Sequence, residues 1–117
     1  MAIEIRGIPI DTALRARIDR HLTALFRRLR GGPVTVQATF FDENGPKGGL
    51  AIRCALTVRV PYRAPIRTEH VAETPRLAYD GAVPGLERLL QRYEERARDE
   101  RRHPKKYYAA RRAREAG

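Results

Sequence analysis

At 117 residues the chain has room for one domain with a real core and too little for two. Its 42% hydrophobic content fits a globular protein, while a mean hydropathy of -0.57 excludes a membrane protein, and no apolar run approaches the roughly 20 residues of a bilayer span. Twenty-four Lys and Arg against fourteen Asp and Glu give a formal charge of +10, which favours a polyanionic partner because each neutralised phosphate releases condensed counterions.

Ala2 to Arg6 alternates, with Ile3 and Ile5 on one side and Glu4 and Arg6 on the other. That pattern predicts a short half-buried strand, closed by Gly7 and Pro9, and the acidic Glu4 and Asp11 argue against a signal peptide. Asp11 or Thr12 then caps a helix running to about Arg30, where Gly31, Gly32 and Pro33 stop it. Its apolar stripe is Leu14, Ile18, Leu22, Leu25 and Leu29, widened by Phe26.

In the run VTVQATFF, Val34, Val36, Ala38 and Phe40 share one face of a second strand. DENGPKGG reads as a hairpin loop, and its GPKGG lacks the spacing and Lys-Ser/Thr ending of a phosphate-binding loop. Leu50 to Val60 alternates again, with Ile52, Cys54, Leu56, Val58 and Val60 inward and Arg53, Ala55, Thr57 and Arg59 outward. After the turn PYRAP, Ile66 to Glu73 reads as the last and weakest strand.

Thr74-Pro75 has the form of an N-cap followed by proline at the first helical position. Tyr79, Ala82 or Val83, Leu86, Leu90, Tyr93 and Ala97 then recur at helical spacing, across Gly81, Pro84 and Gly85. Proline inside a helix costs about 3 kcal/mol and each glycine about 1 kcal/mol, so these positions need a reason. Either a fresh helix starts at Asp80 or Val83, or one helix runs through and kinks near Asp80. The unbroken apolar spacing favours the kink.

The order β-α-β-β-β-α predicts an α+β fold, with two amphipathic helices on one face of a four-stranded, mainly antiparallel sheet. Residues 1–102 form the domain, and 103–117 read as a basic, flexible tail.

Catalytic chemistry is poorly supplied. His21, His70 and His103 have no metal-ligand spacing with one another or with Cys54, and no metal or cofactor is expected. A lone cysteine rules out an internal disulfide framework and suits a reducing cytoplasm; alternating with Ile52 and Leu56, it reads as a buried strand thiol. Nothing assembles a general acid and base, so an enzyme is not expected.

Binding chemistry is better supplied. The first helix carries six arginines against Asp19, with Arg17, Arg20, Arg27 and Arg28 grouped around Ala24 and His21 at the edge. A solvated helix face normally mixes signs, and this one does not. In the last helix Arg88, Arg92 and Arg96 stand at i, i+4 and i+8 as one basic ridge beside Glu87, Glu94 and Glu95. The tail sets Lys105, Lys106, Arg111, Arg112 and Arg114 around Tyr107 and Tyr108, a mixture suited to RNA, where bases stack on rings and guanidinium planes.

Several stretches together resemble the ribosome hibernation promoting factor and ribosome-associated inhibitor A family: the opening IEIRG, the helix TALRARIDRHLTAL, and above all LAYDGAVPGLERLLQRYEER. The resemblance covers about residues 1 to 100 and rests on the order and spacing of these pieces. It implies a β-α-β-β-β-α fold similar to double-stranded RNA-binding domains and a non-catalytic function. Such proteins bind the small ribosomal subunit between head and body, covering the decoding region and the tRNA sites, so that translation stops. By position, Arg88 and Arg92 match basic residues that face ribosomal RNA, and Arg20 and His21 fall in the first helix's basic region. The implied partner is the small subunit with its 16S-type rRNA, bound by a cytoplasmic protein that is a monomer off the ribosome and takes no small-molecule substrate. The long forms of the family add a C-terminal dimerisation domain, for which this chain is too short. Two other readings fit the charge. One is a general structured-RNA binder. The other is a protein-interaction regulator using the sheet's Arg53, Arg59 and Arg67, since the family was once named for sigma-factor modulation.

Overall fold

A computed structural model describes residues 1–27, 34–43 and 51–102, with side chains described as far as Asp99. Six elements follow in order: β1 (Ala2–Gly7), α1 (Thr12–Phe26), β2 (Thr35–Asp42), β3 (Ile52–Arg59), β4 (Ile66–Ala72) and α2 (Pro75–Arg102). The strands lie in the spatial order β1-β2-β3-β4. β1 runs parallel to β2, and the other two pairings are antiparallel. Parallel neighbours cannot be joined by a tight hairpin, and α1 provides the crossover. The fold is α+β, as the pattern of periods predicts.

Strand alternation decides which face each residue takes. Register pairs Val36 with Val58, Ala38 with Leu56 and Phe40 with Cys54, all fully buried beneath the helices. The opposite face carries Gln37, Thr39 and Phe41 against Thr57, Ala55 and Arg53. Ala55 and Thr57 face that way as expected but are buried rather than exposed, at 2% and 8%. The longer side chains around them account for this: Arg67 Nη1 donates to Thr57 Oγ1 at 3.4 Å, and Arg53 Nη1 donates to Glu69 Oε2 at 2.9 Å.

Helix α1 begins at Asp11, whose side chain accepts from the Leu14 N–H at 2.6 Å, one of the two N-caps the sequence allows. It ends at Phe26 with Arg27 as its C-cap, earlier than the expected Arg30. Leu14, Ile18, Leu22 and Phe26 are its buried residues. Phe26 therefore takes the place expected for Leu25, which is half-buried, while Leu29 lies outside the described residues.

Helix α2 is continuous from Pro75 through Pro84 to Arg102, which excludes a restart at Asp80 or Val83. Thr74 caps it as expected, accepting from the Leu77 N–H at 3.2 Å. The helix lies along β3 and β4, with Ala78, Tyr79, Ala82, Leu86 and Leu90 buried against the sheet. The two glycines are explained from outside the helix. A Cβ on Gly81 would overlap the His70 ring, and one on Gly85 would fall 2.6 Å from Thr68 Oγ1. Both neighbours are on β4, so the missing side chains are what allow the helix to approach the edge strand. Thr68 Oγ1 also donates to the Ala82 carbonyl at 3.4 Å, in the same stretch of close approach.

Candidate nucleic-acid interface

Ion pairs divide the surface by face. On the open side of the sheet, Arg6 lies 2.8 Å from Glu4 and Arg67 lies 3.6 Å from Glu69. Arg53 bridges two carboxylates, Glu43 at 2.6 Å and Glu69 at 2.9 Å, over the Phe41 ring at 4.5 Å from its centroid. The Glu43 contact comes from Nε, which is close enough for charge attraction but not aligned as a hydrogen bond. Arg59, at the end of β3, is exposed and makes no ion pair among the described residues.

The helix layer differs. Arg20 of α1, Arg27 at its C-cap, and Arg88, Arg92 and Arg96 of α2 are all exposed, and none has an ion-pair partner among the described residues. At 3.6 residues per turn, Arg88, Arg92 and Arg96 form one row on α2, turned away from its buried Leu86 and Leu90. Long cationic side chains on a regular helix offer flexible reach from a rigid base, and arginine forks match phosphate oxygens.

Two residues expected in this group are placed elsewhere. Arg17 Nη2 donates to Asp80 Oδ1 at 2.7 Å, joining α1 to α2. Its Nη1 is buried without a hydrogen-bond partner, in a shallow depression lined also by His21, Tyr79, Val83 and Pro84. His21 Nδ1 shares a 2.6 Å hydrogen bond with the Tyr79 hydroxyl, ring edge to ring face. Both residues thus sit in the seam between the helices. Sequence reading missed these pairings because the partners lie 63 and 58 residues apart, with no local signal. Arg28, Lys105 and Lys106 lie outside the described residues.

Further along the seam, a groove lined by His21, Ala24, Leu25, Leu90 and Gln91 carries Glu87 and Glu94 on its α2 side. These carboxylates separate the arginines of α1 from the ridge on α2. A phosphate chain would be attracted to the two crests and repelled from the groove between them.

Cys54 is buried, and burial pushes its thiol up to about 12, so it is protonated and inert at neutral pH. Among the described residues no three His, Cys, Asp or Glu side chains gather as a metal site requires. No helix there is long and apolar enough to cross a membrane.

Residues 1–98 match the family model described as sigma 54 modulation protein / S30EA ribosomal protein. The chain belongs to this family. Its fold is similar to the crystal structure of the Thermus thermophilus Protein Y N-terminal domain, at a TM-score of 0.62 and 24% identity over 80% of this chain and 99% of that one. It is similar in the same degree to a ribosomal subunit interface protein from Coxiella burnetii, at a TM-score of 0.62 and 20% identity over 81% and 99% of the two chains. Comparison with individually curated proteins gives no significant match. The S30EA match covers all four strands, α1 and α2 as far as residue 98, so Arg20, Arg27, Arg88, Arg92 and Arg96, which make no ion pair among the described residues, lie within the matched region.

Proposed function

We propose that this S30EA-family chain is a non-catalytic translation inhibitor that binds the small ribosomal subunit and occupies its decoding region and tRNA/mRNA channel. The observation that carries the reading is the sorting of charge: sheet-face arginines are largely matched to carboxylates, whereas Arg20, Arg27, Arg88, Arg92 and Arg96 in the helix layer are unmatched among the described residues. A strongly basic chain that leaves one face uncompensated is suited to a large, rigid polyanion. The family description and the interface-protein relative support the ribosome as that polyanion.

On this reading Arg20, Arg27, Arg88, Arg92 and Arg96 contact rRNA phosphates, while Arg17 and His21 sit in the seam between α1 and α2. Shape fixes the docking register, because the partner is a folded RNA surface. Occupancy is the activity, so no residue need perform chemistry. Residues 1–102 form the binding domain, while Lys105 and Lys106 in the tail add phosphate contacts. The protein acts in the cytoplasm as a monomer until it meets the subunit.

Sedimentation of the purified protein with isolated small subunits, at low and at high salt, tests this. Co-sedimentation at low salt that falls steeply with salt is expected. Absence of co-sedimentation at low salt would rule the reading out.

A further inference from the structure

The turn between β3 and β4 carries a side chain that the fold does not use. The Arg63 N–H donates to the Val60 carbonyl at 3.3 Å, closing a four-residue turn with Pro61 second and Tyr62 third. Tyr62 has φ 65, and it is the one non-glycine residue with positive φ among the described residues. This is the pattern of a type II turn, whose third position needs positive φ and normally holds glycine or asparagine. A tyrosine there crowds its Cβ against its own backbone. Packing does not compensate, because Tyr62 is 106% exposed. Pro61 and Pro65 restrict the backbone on either side, so the ring is presented on a stiff support.

Two arginines, Arg59 and Arg63, flank Tyr62 in the chain. Arg59 is exposed and without an ion-pair partner among the described residues. The Arg63 guanidinium lies 5.5 Å from the centroid of the Tyr93 ring. That contact ties the turn to α2 between Arg92 and Arg96, the far end of the ridge.

We propose that Tyr62 is a stacking platform for an unpaired RNA base, and that the β3–β4 turn extends the arginine ridge into a second, uncharged contact. The proposal rests on the RNA-binding reading above. Base–aromatic stacking needs an exposed ring and tolerates any base. A strained, solvent-facing tyrosine beside arginines supplies that, and a purely structural turn would be better served by asparagine or glycine. Stacking neutralises no phosphate, so it contributes affinity without contributing to the salt dependence.

The test measures binding of wild type, Tyr62→Ala, Tyr62→Phe and Tyr62→Asn to isolated small ribosomal subunits across a salt series, with urea stability of each. The alanine and asparagine variants should bind about tenfold more weakly with the wild-type salt slope, and the phenylalanine variant should bind as wild type. The asparagine variant should be at least as stable as wild type, since asparagine tolerates positive φ. Ultraviolet crosslinking should leave a nucleotide on the tryptic peptide Val60–Arg63. Full affinity in the alanine variant, with wild type binding normally, would overturn the role of Tyr62 alone. A crosslink from that peptide to a ribosomal protein would overturn it too and assign the turn to a protein contact. Failure of wild type to bind subunits at all would remove both this inference and the reading on which it rests.

Discussion

Gly81 of α2 lies directly against the imidazole of His70 on β4, so close that a Cβ at position 81 would overlap the ring. This relationship explains one of the helix breakers in the most amphipathic segment of the chain, as Thr68 explains Gly85. The glycine weakens the helix locally and allows it to seat on the edge strand. Gly81→Ala should therefore destabilise by about 1–3 kcal/mol, the usual cost of overpacking, instead of gaining the helix propensity of alanine. In a His70→Ala background the same substitution should be neutral or stabilising. Urea unfolding of the four proteins of that cycle measures the coupling; additive effects would mean that His70 is not the obstacle.

Charge reversal on the ridge is expected to remove function and spare the fold. Arg88 and Arg92 are exposed and make no ion pair among the described residues, so Arg88→Glu with Arg92→Glu should leave the circular dichroism spectrum unchanged. The double variant should lose inhibition of cell-free translation. Full inhibition by the folded variant would mean that another face docks.

Arg17 should behave differently from the ridge. It is tied to Asp80 at 2.7 Å, and both side chains are over a third exposed, so the pair contributes only about 0–1 kcal/mol to stability. Arg17→Ala should weaken subunit binding less than Arg88→Ala does. Asp80→Ala should strengthen binding a few-fold at low salt, because it releases one cation and removes one anion. Titrating labelled protein with subunits checks both, and a weaker-binding Asp80 variant would contradict this assignment.

Alkaline pH should destabilise the domain for a definable reason. Burial raises the Cys54 thiol from 9.0 to about 12, and it also pushes the Tyr79 phenol above its ordinary 10. Both groups hold their protons in the fold at pH values where the unfolded chain releases them. Their contribution is complete below about pH 9 and is lost as pH rises toward 12, with a slope of at most about 1.4 kcal/mol per pH unit per group. Urea midpoints from pH 7 to 11 should be flat and then fall, and Cys54→Ala should reduce the fall. An unchanged slope in that variant would assign the effect elsewhere.

What was legible in the sequence was local. Alternation at Val34–Phe40 and Ile52–Val60, and four-residue spacing at Leu14–Phe26, gave the elements because strand and helix periods act over a few residues. The contents of the helix seam were not legible. Arg17 and His21 look like surface cations on their own helix, and only the packing of α2 brings Asp80 and Tyr79 to them. Gly81 and Gly85 likewise read as defects of α2, because their cause is a pair of side chains on another element. Tyr62 sat in an obvious turn, PYRAP, but its positive φ was not legible from residue type, since glycine or asparagine normally takes that position.

The measurement that tests the central claim most directly compares two faces at equal charge. Arg88→Ala with Arg92→Ala removes two cations from the helix layer, and Arg6→Ala with Arg67→Ala removes two from the sheet. Binding of each to isolated small subunits is followed across a salt series. The account predicts that the helix-layer variant binds far more weakly with a salt slope lower by about 2, and that the sheet variant stays close to wild type. Equal losses on the two faces, or a loss confined to the sheet variant, would contradict it.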